Sequence, residues 1–220
     1  IINQTPGGVT GQTFTLTKSV DNVTGTSGND TFIAGDDGGT VTLNAGDVIS
    51  GGAGSDTMKI FNAATVPNGA AFTTASVAGI ENIEFTSAAS TQALDVSGNA
   101  DVTKVTVVNG LDAVVNAKLT QTVGLKGNIN TNAAATSFVF SSTTGGTDTA
   151  NVALDGASTA AGATDKGLSL QDVETLNLAL SGTNVVGVFD SDATKMVITG
   201  AGSLKTTLTE SSGSASKVAT

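Results

Sequence analysis

"GTSGNDTFI" at residues 25–33 and "GGAGSDTMK" at 51–59 are two versions of one phrase, starting 26 residues apart. Each has glycine at its first and fourth positions, aspartate at the sixth and an apolar residue at the eighth. Glycine admits left-handed and tightly folded backbone, so the phrase bends the chain. The apolar residue two places after the carboxylate then opens a strand whose alternate side chains face a core. If residues 34–50 form the far side of one coil, the turn at 51–56 returns to lie against the turn at 25–30. That return predicts a stacked, coiled chain.

Outside this phrase the same signals recur. Thr, Ser, Gly, Ala, Asn, Asp and Val dominate; Thr and Val favour strands, and Gly, Asn and Asp the turns between them. Short alternating runs appear at "FTLT" 14–17, "TVTL" 40–43, "VTVV" 105–108, "FVF" 138–140, "NVAL" 151–154, "TLNLAL" 175–180 and "MVIT" 196–199. No stretch carries an apolar stripe at helical spacing over three turns. The chain is therefore read as all-β, with short strands.

A longer repeat overlies these runs. "GGAGSDTMKIFNA" at 51–63 returns as "GGTDTANVALDGA" at 145–157, "SVAGIENIEF" at 76–85 as "SLQDVETLNL" at 169–178, and "DVTKVTVV" at 101–108 as "DATKMVIT" at 192–199. Three blocks in one order, at nearly constant offset, imply two divergent copies of one unit. The expected organisation is a lead-in strand region at 1–20, a first unit at 21–128 and a second at 129–220. Strands of four to six residues close a core poorly alone, but stacking one coil on the next buries a continuous apolar column. A parallel β-solenoid of irregular coils, of the β-roll or β-helix kind, is expected. Tandem β-sandwich domains are the alternative that the same strands and turns permit.

Composition limits the chemistry. The 220 residues include 15 Asp and 4 Glu against 9 Lys, with no Arg, for a net charge of −10. Nucleic acid and anionic membranes are poor partners for such a surface, and cations are good ones. No apolar run reaches the length of a membrane span, and no basic, cleavable signal opens the chain. Cys, His, Trp and Tyr are absent. This removes thiol nucleophiles, imidazole bases, disulfides and the usual zinc or copper ligands together, leaving oxygen, which favours hard cations such as calcium. A carboxylate-pair glycosidase is disfavoured by the lack of aromatic sugar platforms, and no enzyme activity is expected. Ice binding would need aligned T-x-T rows, yet "TFT" at 13–15, "TVT" at 40–42 and "TDT" at 147–149 do not recur at one coil spacing.

The stretches "VDNVTGTSGNDTFIAG", "LNAGDVISGGAGSDTMKI" and "VAGIENIEFTS" resemble the RTX-type calcium-binding modules of large bacterial surface proteins, including S-layer proteins and adhesins exported by type I secretion. The shared feature is the G-G-x-G-x-D-x-U-x pattern, where U is the apolar residue. Gly51, Gly52, Gly54 and Asp56 match it in full; Gly25, Gly28 and Asp30 match it with Thr26 in place of the second glycine. The resemblance implies a right-handed β-solenoid that folds as Ca2+ binds outside the cell and polymerises into a coat or fibre. Its ion would sit between the turns at 25–30 and 51–56, since one turn cannot supply six to eight oxygens. Asp36, Asp37 and Asp47 are further possible oxygens, each better read as a solvated loop charge. Glu81 and Glu174 are read as caps between coils, and Asp101 with Lys104 and Asp192 with Lys195 as solvated ion pairs. In "GGTD" at 145–148 the shortened turn argues against a site at Asp148. The expected function is a calcium-rigidified structural segment of a self-assembling bacterial surface layer or extracellular filament, with copies of itself as partners. The alternative is a calcium-dependent adhesin segment binding a surface glycan or host protein.

Overall fold

The computed structural model describes residues 9–35, 37–62, 72–87, 93–110, 113–129, 136–143, 145–159, 167–189 and 192–209. All regular structure in these residues is strand, and every strand ladder is parallel. Parallel neighbours cannot be joined by tight hairpins, so the chain must travel round a coil between them. This gives a parallel β-solenoid and excludes the β-sandwich alternative, whose sheets are antiparallel.

One face is a long sheet. Its main path runs through β1 (Thr13–Thr15), β3 (Thr31–Ala34), β5 (Thr57–Asn62), β7 (Asn82–Ser87), β9 (Lys104–Val108), β11 (Thr122–Ile129), β13 (Thr149–Thr159), β15 (Thr175–Ser181) and β18 (Lys195–Gly200), with β16 (Thr183–Val185) and β19 (Ser203–Lys205) added beside it. The intervening strands build two smaller sheets. β2 (Asn22–Thr24), β4 (Val48–Ser50) and β6 (Ser76–Ala78) form one. β8 (Leu94–Asp95), β10 (Val114–Ala117), β12 (Thr136–Phe140), β14 (Gly167–Leu170), β17 (Gly187–Phe189) and β20 (Leu208–Thr209) form the other.

Register explains the core. Phe14, Phe32, Met58, Ile83, Val105, Val123, Val152 and Leu178 occupy successive coils at one level. Ala34, Ile60, Phe85, Val107, Leu125, Leu154 and Leu180 stack two residues further along. Because strand side chains alternate, both columns face inward together, and most members are fully buried. Phe14 and Phe32 stack with ring centroids 5.1 Å apart. Leu94, Val114, Phe138 and Leu170 line the opposite wall.

Several readings change on folding. "TVTL" at 40–43 is no strand of any sheet; Val41 makes only an isolated bridge, and Thr42 is buried with its hydroxyl donating to the Gly35 carbonyl at 2.9 Å. "TFT" lies on β1 and Thr149 of "TDT" opens β13 of the same sheet, while "TVT" at 40–42 lies outside every sheet, so the three T-x-T segments form no aligned row. Asp101 does not pair with Lys104: its Oδ2 accepts the Gly79 N–H, 22 residues back, at 2.7 Å. A backbone amide one coil away holds the carboxylate more firmly than a mobile, solvated ammonium.

Candidate functional site

The two glycine phrases lie one on the other. Gly25 N–H donates to Ser50 O at 2.7 Å, Ala53 N–H to Thr26 O at 3.3 Å, Ser55 N–H to Asn29 Oδ1 at 2.9 Å and Thr57 N–H to Asp30 O at 2.9 Å. Glycine is required by contact as well as by conformation. A Cβ on Gly25 would lie 2.1 Å from Gly51 O and 2.5 Å from Asp30 Oδ2, and one on Gly51 would lie 1.8 Å from Gly79 O and 2.4 Å from Asp56 Oδ2. Gly28 meets the Val9 carbonyl in the same way, and Gly52 and Gly54 add positive φ of 100° and 129°.

The carboxylates form a ladder along one corner. Asp30 Oδ1 accepts the Gln12 N–H at 2.6 Å, Asp56 Oδ1 accepts the Asp30 N–H at 2.7 Å, and Glu81 Oε2 accepts the Asp56 N–H at 2.7 Å. Each acid thus caps the amide one coil before it. Glu81 acts as the expected cap. It also joins Asp30 and Asp56 as a third acid of the column, a role visible in the sequence only as the shared acid-x-apolar phrase "DTF", "DTM" and "ENI".

The members of this ladder differ in one respect. Asp30 is saturated: besides Gln12, its oxygens accept the Thr26 N–H at 2.5 Å and the Thr26 hydroxyl at 3.0 and 3.1 Å. Burial pushes its carboxyl up, but the Gln12 and Thr26 amides and the Thr26 hydroxyl outweigh this and hold it below the ordinary carboxylate range. Asp56 has 0% exposure, and its Oδ2 has no hydrogen-bond partner. Burial raises its pKa; the Asp30 amide opposes this, while the Glu81 and Asp30 carboxylates raise it further. A buried carboxylate oxygen without a donor is relieved by a proton or by a cation.

The other candidate ligands stand elsewhere. Asp47 is not a solvated loop charge: it is 1% exposed, and accepts the Asp21 N–H at 2.9 Å and the Asn44 N–H at 2.7 Å at the corner before β4. Packing the Asn44–Asp47 turn under the preceding coil buries it. Asp37 is exposed, 3.3 Å from Lys18. Asp36 lies outside the described residues. Among the described residues, no three Asp or Glu side chains converge as a metal cluster.

Beside the turns, the outer face of the long sheet carries a polar groove of about 360 Å³, with Asn29, Thr31, Thr57, Asn82, Glu84 and Lys104 in its walls. Neither the models of known protein families nor the curated proteins match this chain.

Proposed function

We propose that the chain is a calcium-rigidified structural segment of a secreted, self-assembling bacterial surface layer or extracellular filament. The observation that carries this reading is Asp56 Oδ2, a fully buried and unpartnered carboxylate oxygen in the full glycine turn, stacked on a second such turn. Calcium supplies a hard positive charge that such an oxygen lacks. Asp56 would be the charged ligand, and the turn backbone around Gly51, Gly52 and Gly54 would lie nearest the ion. Asp30, already occupied by amide and hydroxyl donors, positions Asp56 through its own N–H. A cation there would offset part of the −10 charge and join two coils, so binding free energy would add to folding free energy.

The stacked architecture supports the assembly half of the proposal. Ile198 on β18 stands in register with the buried Leu178 yet is 54% exposed, so an interior position of the stack meets solvent. Parallel pairing repeats from coil to coil along the stack, and a second copy pairing head to tail in the same way extends without closing into a ring when the rotation does not close. Light scattering during a calcium titration, with a matched sodium control, tests this. Growth of scattering with calcium alone is expected; a chain that stays monomeric at millimolar calcium and high protein concentration refutes the self-assembly. A glycan-binding adhesin is the second reading, favoured by the groove of hydroxyl, amide and charged side chains beside the turns. Calcium-dependent capture of the chain on immobilised glycans, with Asn82→Ala as control, tests that reading.

A further inference from the structure

Three buried side-chain oxygens among the described residues have no hydrogen-bond partner: Asp56 Oδ2, Thr136 Oγ1 and Asp148 Oδ2. Two of them belong to the aspartates that end the matching glycine turns "GGAGSD" and "GGTD". Asp148 is half-buried where Asp56 is fully buried, but their hydrogen-bond partners match. The Asp56 N–H donates to Glu81 Oε2 and the Asp148 N–H to Glu174 Oε2, both at 2.7 Å. One coil further on, Thr103 N–H donates to Glu81 O at 2.8 Å and Thr194 N–H to Glu174 O at 2.9 Å. Both threonine hydroxyls reach the same carbonyls, at 3.2 and 3.3 Å.

An orphaned carboxylate oxygen is costly to bury. Its recurrence at one structural position in both halves points to a partner that both positions share. No lysine supplies it: the ion pairs of the described residues join Lys18 to Asp37, Lys59 to Glu84, and Lys126 to Glu84 and Asp155. The turn before Asp148 is also open. A Cβ on Gly145 or Gly146 would meet no atom within 4 Å, whereas one on Gly51 would strike the Gly79 carbonyl.

We infer that Asp148 and Glu174 hold a second hard divalent cation, with Asp148 Oδ2 and the Glu174 carboxylate as charged ligands and water completing the shell from the open side of the turn. This rests on the calcium reading of Asp56 and extends it to the half of the chain whose shortened turn spoke against a site. Calcium would then clamp both halves of the stack.

Calorimetric calcium titration of the full chain, alongside the Asp56→Asn and Asp148→Asn variants, tests the assignment. Two ions are expected on the wild type and one on each variant. Glu174→Gln keeps an amide oxygen for the Asp148 N–H while removing the charge, so it should lose the same ion as Asp148→Asn and serves if that variant fails to fold. A wild-type stoichiometry unchanged by both second-half substitutions overturns this site and leaves the first intact. A wild type that takes up no calcium at millimolar concentration overturns both.

Discussion

Replacing Asp56 with Asn should change the sign of its effect with calcium. Without calcium, Asp56 is buried with Oδ2 unpartnered and with two carboxylates nearby, which penalises its ionised form. Asparagine at this position keeps an oxygen for the Asp30 N–H and removes the charge, relieving the desolvation of a buried carboxylate and its repulsion by Glu81 and Asp30, a gain of about 1–3 kcal/mol. At about 2–4 °C per kcal/mol for a domain of this size, the variant should melt several degrees above wild type in chelator. With calcium at a hundredfold excess over Kd, wild type gains about 2.7 kcal/mol from one site. The Asp56→Asn variant forfeits that gain, so the order of melting temperatures should narrow sharply or reverse. Thermal melts followed by circular dichroism, in chelator and in calcium, give both comparisons. A variant that shifts the melt equally in both conditions refutes the cation role of Asp56.

Other substitutions separate scaffold from site. Asp30→Ala strips acceptors from the Gln12 and Thr26 amides and should cost about 1–3 kcal/mol in both conditions, read from denaturant midpoints. Gly51→Ala drives a methyl into the Gly79 carbonyl and should cost about 1–3 kcal/mol or more, seen in the same melts; a neutral result would contradict the coil stacking. Phe85→Ala empties a fully buried position shared by two coils and should cost about 3–5 kcal/mol by equilibrium unfolding, with or without calcium. The pH dependence in chelator has two parts. Asp56, raised in the fold, makes the native state bind protons more readily than the unfolded chain, so its contribution to stability should increase as pH falls from neutral through its folded pKa. Asp30, lowered in the fold, contributes stability above the unfolded carboxylate pKa that is lost as pH falls through its folded value. Unfolding midpoints of wild type and Asp56→Asn across this range should differ in the first part alone.

Much of the fold was legible before folding. The two glycine phrases implied stacked turns because glycine and aspartate at fixed spacing act through local backbone geometry, and Phe32 and Met58 entered the core by strand alternation. In the main sheet, β1, β9, β13, β15 and β18 announced themselves by period-two runs, whereas the eight-residue β11, broken by Gly124 and Gly127, did not. β2, β4, β6 and β8, only two or three residues long, carry too few alternations to be seen; their pairing comes from the coils above and below.

The carboxylates divide the same way. Sequence alone determined that this chain has acids, few bases and no imidazole or thiolate metal ligand, and it placed Asp30 and Asp56 at the ends of equivalent turns. Tertiary structure decided what those acids do. Asp30 is saturated by amides from its own turn and from 18 residues back, Asp47 and Asp101 cap distant corners, and Asp56 and Asp148 keep an unpartnered oxygen. The reason is that a hydrogen bond between coils depends on which amide the stacking register brings within reach. That register depends on every coil between the two residues, whereas a turn depends on only four or five residues of local chain.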